Sequence, residues 1–144
     1  MTMTNRRSFI TGIKSTTLSS KEKKFLQKYK PWGVILFSRN IKSIKQTRLL
    51  TNQIKKIFKD KSYPIMIDQE GGRVNRLKKI FNTDSLTGEY FGKLYSKDIK
   101  KFNFYYKLFI KQTSFLLKSI GANINTLPIL DLRSKGSSNI IGDR

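Results

Sequence analysis

The chain has 144 residues, and 30 Lys and Arg against 9 Asp and Glu leave a formal net charge of +21. That length fits a single domain, and 38% hydrophobic residues with 12% aromatics suffice for a packed core. The absence of both cysteine and histidine excludes a disulfide framework, a thiolate nucleophile and thiolate or imidazole metal sites.

The first residues, Met1 to Lys14, contain Arg6 and Arg7 but no apolar run of the length a secretory signal needs. No run approaches the roughly 18 apolar residues that span a bilayer. The expected address is the cytoplasm, without a membrane partner. Of the 30 cations 22 are Lys, scattered over every helical stretch, and Lys, Ile and Asn together make 48 of the 144 residues. Compositional bias accounts for that pattern, so no specific nucleic-acid partner is expected.

Residues 9–13 form a short apolar run that suits a first strand. The segment 20–29 predicts a helix with Phe25, Leu26 and Tyr29 on one face, capped by Ser19 or Ser20 and stopped by Pro31. Residues 33–37 are continuously apolar, as in a parallel strand buried on both faces, and Ser38-Arg-Asn40 is a polar break. A second helix over 43–58 carries Ile44, Leu50, Ile54, Ile57 and Phe58 as its stripe. Residues 64–68 form another buried strand, ending on Asp68 and running into Gly71-Gly72. A third helix is expected over 97–119, with Phe104, Leu108, Phe115 and Leu116 in the core and Gly121 as its cap. The last strand is expected over 124–130, followed by Asp131 and a Ser/Gly-rich loop over 134–139. The alternation of strand and helix means parallel βα units. No G-x-G-x-x-G and no P-loop follows any strand, whereas polar groups stand at the strand ends, as in a (β/α)8 barrel. Four strands make half of such a barrel.

Ile67-Asp-Gln-Glu-Gly-Gly-Arg-Val-Asn-Arg76 carries the most chemistry. Asp68 sits where a buried strand meets its loop, two glycines allow close backbone approach, and Arg73 and Arg76 follow closely enough to support ionised Asp68 and Glu70. Carboxylates and guanidinium forks hold hydroxyl-rich ligands through charge-assisted hydrogen bonds. Asp68 and Glu70, about 6.6 Å apart along a strand, have the spacing of paired glycosidase carboxyls. Both come from one loop, however, and a scissile bond is flanked from two sides.

Gly33-Val-Ile-Leu-Phe-Ser-Arg-Asn40, Ile67-Asp-Gln-Glu-Gly-Gly-Arg-Val74, Leu127-Pro-Ile-Leu-Asp131 and Ile141-Gly-Asp-Arg144 resemble successive signatures of glycoside hydrolase family 3, specifically its bacterial cytoplasmic β-N-acetylhexosaminidases. The resemblance implies an α/β fold, the N-terminal half of a (β/α)8 TIM barrel over 1–144. It implies release of terminal N-acetylglucosamine from N-acetylglucosaminyl-anhydromuramyl compounds of peptidoglycan recycling, with retention, without a cofactor, by a protein that is monomeric at full length. It maps substrate contacts to Asp68, Arg76 and Arg144, and leaves Arg39, Asn40 and Asp131 to shape the rim. The family's acid/base dyad and nucleophile have no counterpart in these 144 residues, so the chain alone is expected to lack catalysis. A non-catalytic half-barrel that binds sugars or polyanions is the alternative.

Overall fold

A computed structural model describes residues 5–129 and 136; Asp131, Arg144 and the rest of the 134–139 loop lie outside the described residues. The elements run β1 (Arg7–Gly12), α1 (Ser20–Tyr29), β2 (Pro31–Leu36), a 3-10 turn (Ser38–Asn40), α2 (Ile44–Ile57), β3 (Ile65–Ile67), α3 (Gly88–Lys97), α4 (Ile99–Ile120) and β4 (Ile124–Asn125). The four strands form one parallel sheet in the order β1-β2-β3-β4. The α/β character and the alternation expected from the sequence are therefore present.

Local chemistry sets the boundaries. Ser19 caps α1 in a reciprocal box with Glu22: the Ser19 amide donates to Glu22 Oε2 at 2.8 Å and the Glu22 amide donates to Ser19 Oγ at 3.2 Å. Lys30 closes that helix in the left-handed conformation, φ 47°, and Pro31 then opens β2 rather than merely ending the helix. Ser43 caps α2 through the Gln46 amide. At the other end of the fold Gly121, φ 84°, turns the chain out of α4.

One face of the sheet is sealed by the helices. Val34, Leu36, Ile65 and Ile67 pack with Leu26, Leu50, Ile54, Leu117 and Ile120, all buried; each such side chain contributes about 1.5–3 kcal/mol. The register pairs Ile35 with Met66 and Met66 with Ile124 on the opposite face, and all three are only half-buried. The strands are thus not enclosed on both faces as expected, because no layer covers the second face among the described residues.

Three further expectations need correction. The helix expected over 97–119 begins at Ile99, where Asp98 caps it, and a separate α3 precedes it. α3 docks on α4 through aromatic rings: the Phe91 centroid lies 4.9 Å from Tyr106 and 5.2 Å from Phe109. The strand expected over 124–130 is paired only at Ile124–Asn125; Thr126 to Ile129 do not continue it, and Leu130 lies outside the described residues. Finally, Phe25, Ile44, Phe104, Leu108 and Phe115 are exposed, while Leu26, Leu50, Ile54 and Leu116 are in the core.

Candidate functional site

Parallel strands in register bring their carboxyl ends together. Leu36 pairs with Ile67, and Ile67 with Asn125, so Phe37, Asp68 and Thr126 are the next residues on three adjacent strands. Asp68 is the hub of this strand-end cluster. Its Oδ2 accepts from Arg76 Nη2 at 2.9 Å and its Oδ1 accepts from Thr126 Oγ1 at 2.8 Å. Burial pushes the Asp68 carboxyl up, but the Thr126 and Arg76 hydrogen bonds, with a contribution from Glu70, outweigh it and hold the group below the usual carboxylate range. The stabilisation that comes with this lowered pKa is present at neutral pH and is lost as acid protonates the folded state.

Arg76 reaches Asp68 over a turn that other groups hold rigid. Gln69 is 2% exposed; its Nε2 donates to Asn75 Oδ1 at 3.1 Å, and its Oε1 accepts from the Leu77 amide at 3.0 Å. The Gln69 amide in turn donates to Asn125 Oδ1 at 3.1 Å. Gly71 and Gly72 have φ of 93° and 53°, and the Gly72 amide donates to the Thr83 carbonyl at 2.9 Å. A Cβ on Gly71 would sit 2.4 Å from the Leu86 carbonyl oxygen. Gly71→Ala is therefore expected to cost about 1–3 kcal/mol from the positive φ alone, plus the clash, read as faster limited proteolysis within the 68–88 segment. An unchanged cleavage rate would show that this turn is not fixed.

The rim residues behave as a brace. Asn40 is fully buried; its Nδ2 donates to the carbonyls of Ile13 and Ser15, both at 2.8 Å, and its Oδ1 accepts from the Phe37 amide at 2.9 Å. Arg39 Nε donates to the Ile13 carbonyl at 3.0 Å. The Arg39 guanidinium lies 4.6 Å from the Phe37 ring centroid and that of Arg76 lies 5.7 Å from it.

Of the residues singled out in the sequence, Asp68 and Arg76 are brought together. Arg73 is exposed, Glu70 is half-buried beside Asp68, and Arg144 and Asp131 lie outside the described residues. Sequence reasoning does not reach Thr126 or the part played by Gln69. Thr126 is 58 positions from Asp68, and only the strand register reveals it. Gln69 stands next to Asp68 in the motif, but nothing local shows that its side chain is buried and braces the turn. Among the described residues no three His, Cys, Asp or Glu side chains gather as metal ligands.

An ionised carboxylate has about four acceptor positions, of which Arg76 and Thr126 use two, and Glu70 engages the group as well. Arg76 Nε is buried with no hydrogen-bond partner among the described residues. The Asp68 carboxylate therefore keeps acceptor capacity for a ligand rich in hydroxyl groups. No family model matches the chain. It is, however, 36% identical over 136 residues to the β-hexosaminidase of Hydrogenovibrio crunogenus, covering 92% of the chain, and 36% identical to that of Alkalilimnicola ehrlichii.

The chain is a relative of the β-hexosaminidases.

The relationship extends to three dimensions. NagZ from Neisseria gonorrhoeae superposes with a TM-score of 0.83 at 28% identity over 96% of this chain. A glycoside hydrolase family 3 β-N-acetylglucosaminidase from Paenibacillus superposes with a TM-score of 0.65 at 24% identity, a likeness of fold. The resemblance to hexosaminidases expected from the sequence motifs is thus borne out. The chain spans 36% and 37% of the length of the two curated hexosaminidases, and 40% of the Neisseria NagZ chain.

Proposed function

We propose that this chain is the sugar-holding part of a family 3 β-N-acetylhexosaminidase, the N-terminal half, 1–144, of a (β/α)8 barrel. The observation that carries the reading is Asp68, kept ionised at a strand end by Arg76 and Thr126 in a chain 36% identical to a β-hexosaminidase. In this reading Asp68 accepts hydrogen bonds from hydroxyls of the terminal N-acetylglucosamine, and Arg76 donates to them. Arg144 is proposed as a third contact. The substrates are N-acetylglucosaminyl-anhydromuramyl compounds of cell-wall turnover, cleaved with retention in the cytoplasm by a monomer that needs no cofactor. The acid/base and the nucleophile belong to the other half.

The half-barrel reading is supported by what the sheet leaves uncovered. Ile35, Met66 and Ile124 share a half-buried face. Beside β4 lies a cavity of about 630 Å³ lined by Tyr106, Phe109, Leu117, Ile124, Leu127 and Pro128. A further βα unit added at the β4 edge would fill that cavity and pair the strand. Accordingly the chain alone is expected to aggregate or to melt without cooperativity, and to gain a sharp transition when the remainder of a relative is supplied. A soluble monomer of 144 residues with a two-state thermal transition would identify it as a complete small domain.

Function is tested by joining this chain to the remainder of the Hydrogenovibrio crunogenus hexosaminidase. The chimera should hydrolyse a chromogenic N-acetylglucosaminide. A folded chimera, shown by its cooperative melt, that leaves the substrate intact would overturn the assignment.

A further inference from the structure

α4 has two apolar faces, and the fold uses one. Phe109, Thr113, Leu116, Leu117 and Ile120 are buried against the sheet and its neighbours. Phe104, Leu108 and Phe115 recur at i, i+4 and i+11 and are 65%, 53% and 65% exposed. At about 100° per residue these three lie within roughly 40° of one another, and roughly 140° around the helix from the buried face. They form a ridge about 16 Å long. Ile110, Ser114 and Lys118 border the cavity beside β4 and lie roughly 60–140° around the helix from the ridge, so an element docked there would meet the lysine flank, while Phe104, Leu108 and Phe115 are not among the residues that line the cavity.

The flanks of the ridge are cationic. α4 contains five lysines and no acid in 22 residues. By the same helical spacing Lys100, Lys107, Lys111 and Lys118 border the ridge on one side and Lys101 on the other, all exposed. Lys101 lies 3.4 Å from Asp98; the other four make no ion pair among the described residues. A convex line of Phe, Leu and Phe beside a row of four lysines is the pattern of an interfacial helix face, in which apolar side chains enter the headgroup–acyl boundary while lysine stems extend to the headgroups.

We propose that this ridge is a peripheral docking surface for an anionic lipid bilayer. No helix among the described residues is long and apolar enough to cross a membrane, so the association is with the surface. Charge selects the occupant. A second copy of the chain brings another formal +21 and its own lysine row, which repel. A bilayer carrying acidic headgroups attracts the lysines and accepts a convex ridge without a preformed groove. The docking surface is built from α4 alone and does not depend on the hexosaminidase reading.

The test is flotation of the chimera with the Hydrogenovibrio crunogenus remainder, shown folded by its cooperative melt, with phosphatidylcholine vesicles, with and without phosphatidylglycerol; flotation separates bound protein from aggregates, which sediment. The chimera should float with the anionic vesicles only, less so as salt rises. The charge-preserving variant Phe104→Gln/Leu108→Gln/Phe115→Gln, checked for unchanged helicity by circular dichroism, should lose about tenfold or more of that partitioning. Equal flotation of the variant would assign the binding to lysine charge alone and overturn the proposal. Absence of flotation by the folded, unmodified chimera would overturn it too, as would ridge-dependent self-association without vesicle binding.

Discussion

Purified alone, the 144-residue chain should leave a chromogenic N-acetylglucosaminide unhydrolysed above the buffer background. Glycoside hydrolysis with retention needs a proton donor at the leaving oxygen and a nucleophile at the anomeric carbon, contributed from opposite sides of the bond. The chain has no histidine, and the two carboxylates at the site, Asp68 and Glu70, come from one turn. Asp68 is also held ionised by Arg76 and Thr126, which suits acceptance of hydrogen bonds and opposes donation of a proton. Binding without proton transfer or a covalent step supplies little of an enzyme's rate. The measurement is product release over hours at high protein concentration. Turnover at an enzyme-like rate would show that the reacting groups lie within these residues after all.

In the chimera with the remainder of a hexosaminidase, Asp68→Ala should lower kcat/KM strongly. A hydrogen bond to a charged group is worth about 1.5–3 kcal/mol, which corresponds to a loss of roughly ten- to 150-fold. The substitution also leaves the Arg76 guanidinium without its carboxylate at 2.9 Å, so the cation is freer to swing from the strand end. Asp68→Asn separates the effects: it keeps the shape and removes the charge, and should fall between the unmodified chimera and Asp68→Ala. Steady-state kinetics on both variants, with their melts, reads this directly. Unchanged kcat/KM in a folded Asp68→Ala chimera would remove Asp68 from the site.

Local signals in the chain read well where the chemistry is local. Ser19 with Glu22 and Ser43 ahead of the second apolar stripe mark the starts of α1 and α2, and Gly121 marks the end of α4. The string around Asp68 is legible as a site because the strand end, the paired glycines and the arginine stand together in sequence. Periodicity misleads where a helix has two apolar faces. Phe104, Leu108 and Phe115 fit helical spacing as well as Phe109, Leu116 and Ile120 do, and only packing decides which set is buried. α3 escapes notice because Gly88, Gly92 and Ser96 dilute its pattern, although Thr87 caps it through the Tyr90 amide at 3.0 Å. The Asn40 brace and the Thr126 contact to Asp68 join residues 27 and 58 positions apart. Such links follow from sheet register, which no short motif encodes.

If the cluster of Asp68, Arg76 and Thr126 holds the terminal sugar, a crystal structure of the chimera with N-acetylglucosamine bound will show it. A sugar hydroxyl should lie within hydrogen-bond distance of the Asp68 carboxylate, with the Arg76 guanidinium beside it. A sugar seated elsewhere, with no hydroxyl on Asp68, would contradict that role.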